Sequence, residues 1–154
     1  PFLFYRPPPL SPPVLTPFPY TTLFRSVYDV RERRYLGEAD GVELEDGGRV
    51  KLYALLPSPV RALQVQAPAE VGRGERVEFA VRADAERSFR HVFAVRVYAP
   101  DGSLQHMYGA NLDGPEGAAS GGFRLAHNDP TGEWRIVASD AATGVTAETR
   151  VRVR

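Results

Sequence analysis

Three histidines, His91, His106 and His127, are the side chains of this 154-residue sequence best suited to hold a metal or to move a proton near neutral pH. Cysteine is absent, so thiolate nucleophiles, disulfides and cysteine-ligated metals are excluded. A helical zinc site places two histidines four residues apart around a glutamate, and no histidine pair here has that spacing. His91 opens one extended stretch, His106 lies on the next and His127 opens a turn. All three therefore read as surface or turn histidines. The sequence assigns no catalytic, cofactor-binding or metal-ligating residue.

The carboxylates are more numerous: Glu43, Glu45, Asp46, Asp101, Asp113, Glu116, Asp129 and Glu133. A glycosidase needs two of them flanking one cleft at a set separation. Nearly all of these fall in turns or on outward strand positions, and Asp46, Asp101 and Asp129 have ordinary turn roles. There is no Gly-x-Ser-x-Gly elbow and no phosphate loop. One further possibility is an aromatic platform for stacking a sugar, built from Tyr98 and Tyr108 with His106 and Met107. The competing reading, ordinary tyrosine on strands and edges, is the stronger.

The elements that must carry these residues are strands. Trp134, Ile136 and Ala138 alternate with Glu133, Arg135 and Ser139, the period of a half-buried strand. Residues 140–144 supply turn chemistry, after which Val145, Ala147, Val151 and Val153 alternate with polar partners. This final hairpin needs a second sheet to cover its inner face. Strands at 60–66, 76–82, 91–99, 104–108 and 122–126 provide it, with residues 111–122 as a glycine-rich loop. The predicted core is Leu63, Val65, Val77, Phe79, Val81, Phe93, Val95, Val97, Phe123, Leu125, Trp134, Ile136, Val151 and Val153. Seven strands in roughly ninety residues have the size of an immunoglobulin-like sandwich.

Ahead of this module, residues 27–30, 35–37, 41–45 and 49–56 read as short strands, with Asp46-Gly47-Gly48 as a hairpin turn. In the last of these, Val50, Leu52 and Ala54 should share a face. Leu56-Pro57-Ser58-Pro59 is a stiff connector and the expected domain boundary. Residues 27–57 are thus expected to be the terminal strands of a truncated upstream β-domain, and 60–154 the sandwich. Residues 1–26 are crowded with proline, as a polyproline linker would be. However, Phe18-Pro19-Tyr20-Thr21-Thr22-Leu23-Phe24-Arg25-Ser26 reads as the conceptual translation of a nucleotide sequence that resembles a common short-read sequencing adapter. This segment is therefore expected to be non-native, adapter-derived and disordered.

Formal net charge is zero, which favours neither nucleic acid nor an anionic membrane surface as partner. No apolar run approaches the ~20 residues of a membrane helix, so membrane insertion is not expected.

Val27-Tyr28-Asp29-Val30, Arg34-Tyr35-Leu36-Gly37 and Val50-Lys51-Leu52-Tyr53-Ala54-Leu55-Leu56-Pro57 resemble the closing C-terminal β-domain of large bacterial β-galactosidase-type glycoside hydrolases. Val71-Gly72-Arg73-Gly74-Glu75-Arg76-Val77, Val97-Tyr98-Ala99-Pro100-Asp101-Gly102 and the run from Asn128 to Ile136 resemble immunoglobulin-like and macroglobulin-type β-sandwich modules of exported bacterial proteins. The resemblances imply an all-β, non-catalytic accessory module at the C-terminus of a glycan-processing polypeptide. They imply no cofactor, an extracellular or periplasmic location, and the upstream domains of the same chain as partners. The alternatives are a carbohydrate- or protein-binding module and a macroglobulin-type structural repeat of a bacterial surface protein.

Overall fold

A computed structural model describes residues 26–38 and 50–154. Three antiparallel strands come first: β1 (Ser26–Asp29), β2 (Arg34–Glu38) and β3 (Tyr53–Leu56), in the order β2-β1-β3. There follow β4 (Val60–Gln66), β5 (Glu70–Val71), β6 (Arg76–Ala85), β7 (His91–Tyr98), β8 (Ala110–Gly114), β9 (Ala118–Arg124), β10 (Gly132–Asp140) and β11 (Thr146–Val153). These make two sheets, β4-β6-β9 and β5-β11-β10-β7-β8. All pairings are antiparallel except β5 with β11. The chain stays within one sheet at β7–β8 and β10–β11 and otherwise crosses between the sheets, as in an immunoglobulin-like sandwich, and the fold is all-β.

Alternation explains where the core sits. Val77, Phe79 and Val81 on β6, and Phe93, Val95 and Val97 on β7, point inward against Trp134, Ile136 and Ala138 on β10. Val151 and Val153 close the layer from β11. Every residue of the predicted core is buried except Val65, which is half-buried and packs against the rest. At roughly 1.5–3 kcal/mol for each fully buried large side chain, this core supports the sandwich by itself. The β1–β3 sheet differs: among its described residues only Val27 and Tyr28 are fully buried apolar side chains.

Four expectations change. Residues 104–108 do not form a strand. Leu104 makes a single bridge to Tyr98, and His106–Tyr108 is one turn of 3-10 helix. The turn swings Tyr108 inward, where its ring stacks on Phe123 with centroids 4.8 Å apart.

The expected loop at 111–122 is instead two strands, β8 and β9, joined by a turn at 115–117 that carries the chain from one sheet to the other. Its glycines serve close packing: a β-carbon on Gly114 would lie 2.7 Å from the Phe93 ring, and one on Gly122 2.7 Å from the Val77 carbonyl.

The expected strand at 49–56 is confined to Tyr53–Leu56 among the described residues, leaving Val50 and Leu52 76% and 54% exposed. Ser26, assigned to the adapter-derived segment, is a strand residue of β1, paired with Leu56 and Glu38. The adapter-derived segment from 1 to 25, the strand at 41–45 and the Asp46-Gly47-Gly48 turn lie outside the described residues.

Candidate functional site

The group with the most chemical potential was read from sequence as a surface histidine. His91 is buried. As the first residue of β7 its side chain alternates inward with Phe93 and Val95, so the strand itself drives the ring into the end of the sandwich. The imidazole lies between Phe89, with ring centroids 4.2 Å apart, and Phe93, 5.5 Å away and nearly parallel. Its Nδ1 is 2.7 Å from Oδ2 of Asp140, the last residue of β10. The pair is sealed, with side-chain exposures of 2% and 1%.

Asp140 also shapes the turn that follows it. Its Oδ1 accepts from the Ala142 amide at 3.1 Å, the Thr143 amide at 2.8 Å and the Thr143 hydroxyl at 2.9 Å. Burial by itself would raise the Asp140 carboxyl pKa. The hydrogen bonds from His91 and Thr143, with the His91 charge, outweigh burial and hold it below the usual carboxylate range. A buried carboxylate with four donors is an anchor, and a ring stacked between two phenyl groups has no face open to a substrate. The sequence carried half of this signal: Asp140-Ala141-Ala142-Thr143-Gly144 is turn grammar, but nothing local to it announces a partner 49 residues away.

The other two histidines are exposed and belong to different features. His106 starts the 3-10 turn. His127 lies over Gly74, whose lack of a β-carbon leaves room for the ring. Among the described residues, no three His, Asp or Glu side chains gather to hold a metal.

The alternative platform of Tyr98, Tyr108, His106 and Met107 is not assembled. The Tyr108 hydroxyl donates to Asp129 Oδ2 at 2.6 Å while its ring packs against Phe123 and Trp134. Burial first, and then the Asp129 contact, pushes the Tyr108 phenol pKa up. Tyr98 does face outward, but the Arg135 guanidinium covers its ring at 4.8 Å from the centroid. Met107 projects alone, 94% exposed.

The carboxylates expected in turns behave as turn residues. Asp101 Oδ1 accepts the Ser103 amide at 2.9 Å, and Asp129 Oδ2 accepts the Ala126 amide at 2.7 Å. Asp113 and Glu133 pair with Arg90 and Arg150 at the surface, at 2.5 and 2.8 Å. The outer face of β4-β6-β9 carries a shallow open depression of about 520 Å³, lined in part by Gln66, Glu78, Ala80 and Ser120. No histidine, buried carboxylate or exposed aromatic ring lines it.

No family model matches the chain, and no curated protein matches it. Among solved structures, it is similar to the CARDB domain of a Pyrococcus furiosus protein determined in complex with di-metal ions. The identity is 19% over 63% of this chain and 89% of that chain, with a TM-score of 0.42. The fold assignment rests on the strand order and core described above.

Proposed function

We propose that this chain is a non-catalytic β-sandwich module that gives structural support within a multidomain polypeptide. One observation carries the reading. The only buried acid–base pair among the described residues, His91 with Asp140, is sealed from solvent and fixes a turn. Surface charges on the sandwich are paired in place: Arg135 with Glu148 at 3.6 Å, Arg150 with Glu133, and Arg61 with Glu86. Exposed pairs of this kind contribute little energy and present no convergent chemistry.

The resemblance of residues 27–57 to the closing strands of β-galactosidase-type hydrolases supports the finer form of the proposal. In that form the parent is an exported, glycan-processing protein whose catalytic residues lie elsewhere, and the module's partners are the domains beside it. The carbohydrate-platform alternative is weaker, since Tyr108 is drawn into the core and Tyr98 is covered.

The test is to incubate the purified chain with chromogenic galactosides and to titrate it calorimetrically with soluble polysaccharides. No turnover and no heat are expected. Turnover abolished by Asp140→Asn would overturn the proposal, and saturable heat lost in Tyr98→Ala would replace it with the binding-module reading.

A further inference from the structure

We infer that the turn between β10 and β11 is the seat that orients the β1–β3 sheet on the sandwich, with Gly144 as the contact point. Two independently braced turns meet there. On the sandwich side, the Asp140 carboxylate holds the amides of Ala142 and Thr143. The main chain adds Gly144 N–H to Asp140 O and Asp140 N–H to Val145 O, both at 2.9 Å. The Ala141 amide donates to Val92 O at 2.9 Å, tying the turn to β7. On the other side, Asp29 Oδ1 accepts the amides of Arg31 and Glu32, each at 3.1 Å, and fixes the β1–β2 turn.

Arg33 sits in that second turn with a left-handed backbone, φ +51°. Its side chain lies so close to Gly144 that a β-carbon at position 144 would be 2.7 Å from Arg33 Cβ and Cγ. Those are the atoms nearest the backbone, so the clash cannot be relieved by swinging the guanidinium away. Elsewhere the two parts touch through Leu56, which packs against the sandwich core, and through polar contacts. The Tyr28 hydroxyl accepts the Val60 amide at 3.1 Å, and Ser58, buried within the Pro57-Ser58-Pro59 connector, accepts the Arg87 amide at 3.2 Å. Burial, with Tyr35 and Asp140 adding to it, pushes the Tyr28 phenol pKa up, so its hydroxyl stays neutral in this junction. A sheet with so small an apolar core of its own depends on where these turns let it rest.

The experiment compares Gly144→Ala with Gly102→Ala in the full chain. Both glycines have left-handed backbones, φ +74° and +83°, so both variants carry the same kind of backbone strain. Only the first meets a neighbour, because nothing lies within 4 Å of a β-carbon at position 102. Amide exchange is followed in β1 and β2, and Trp134 fluorescence reports the sandwich core. Gly144→Ala is expected to lower protection in β1 and β2 at least tenfold relative to Gly102→Ala, with similar Trp134 unfolding midpoints. Adding Arg33→Gly, which suits the left-handed position and removes the obstructing side chain, is expected to restore protection. Equal protection in the two single variants, or no recovery in the double variant, would overturn the inference. Glycoside turnover by the chain would overturn the structural-module proposal and leave this result standing.

Discussion

Asp140 joins an electrostatic contact to a backbone one: it faces His91 across the sandwich and caps its own turn. Its folded-state pKa lies below the unfolded value, so its contribution to stability is fully present above the ordinary carboxyl pKa of about 4. That contribution is lost as pH falls through the lower, folded value. Asp140→Asn is expected to destabilise the chain at pH 7 by about 1–3 kcal/mol, because the buried donors on His91 and Thr143 lose their carboxylate acceptor. The gap from wild type should begin to narrow below about pH 4, where the unfolded carboxylate takes up its proton, and go on narrowing as pH falls through the lower, folded value; denaturant melts across pH 2–8 check both points. Ser26 is the opposite case. Its hydroxyl is buried and has no hydrogen-bond partner among the described residues. Ser26→Ala is expected to raise stability by up to about 1 kcal/mol, read as an upward shift in melting temperature. At this scale the apolar residues were legible because alternation alone places Phe93 and Trp134 inside. His91 was not, since polarity argued for the surface while its strand position argued for the core.

At the scale of elements, sequence period located β4, β6, β7, β10 and β11, whose buried apolar residues fall mainly at alternate positions. It failed at β8 and β9, where Gly114, Gly121 and Gly122 read as loop. Those glycines are small because other atoms need the space, a demand made by Phe93, Phe79, Leu112 and the Val77 carbonyl on other strands. Gly114→Ala is therefore expected to cost roughly 1–3 kcal/mol by overpacking against a fully buried ring, whereas turn flexibility alone would predict a smaller loss. The 3-10 turn was hidden for a related reason: Tyr108 is aromatic enough to suit a strand, but its partners Phe123, Trp134 and Asp129 lie far along the chain. Tyr108→Phe should keep the stacking, remove the hydroxyl's bond to Asp129, and lower stability by about 1–2 kcal/mol in the same melts.

The whole molecule combines a sandwich with a sufficient core and a three-stranded sheet resting on one end of it. On the proposed reading the chemistry of the described residues is architectural: their one buried acid–base pair is closed off so that a turn keeps its shape. The most direct check is the accessibility of the three histidines to diethyl pyrocarbonate, with peptide mass mapping on the native, full chain. Modification is expected at the exposed His106 and His127, with His91 spared until Trp134 fluorescence reports unfolding. Modification of His91 as fast as the other two, with the fold intact, would show an open imidazole beside a carboxylate and contradict the account.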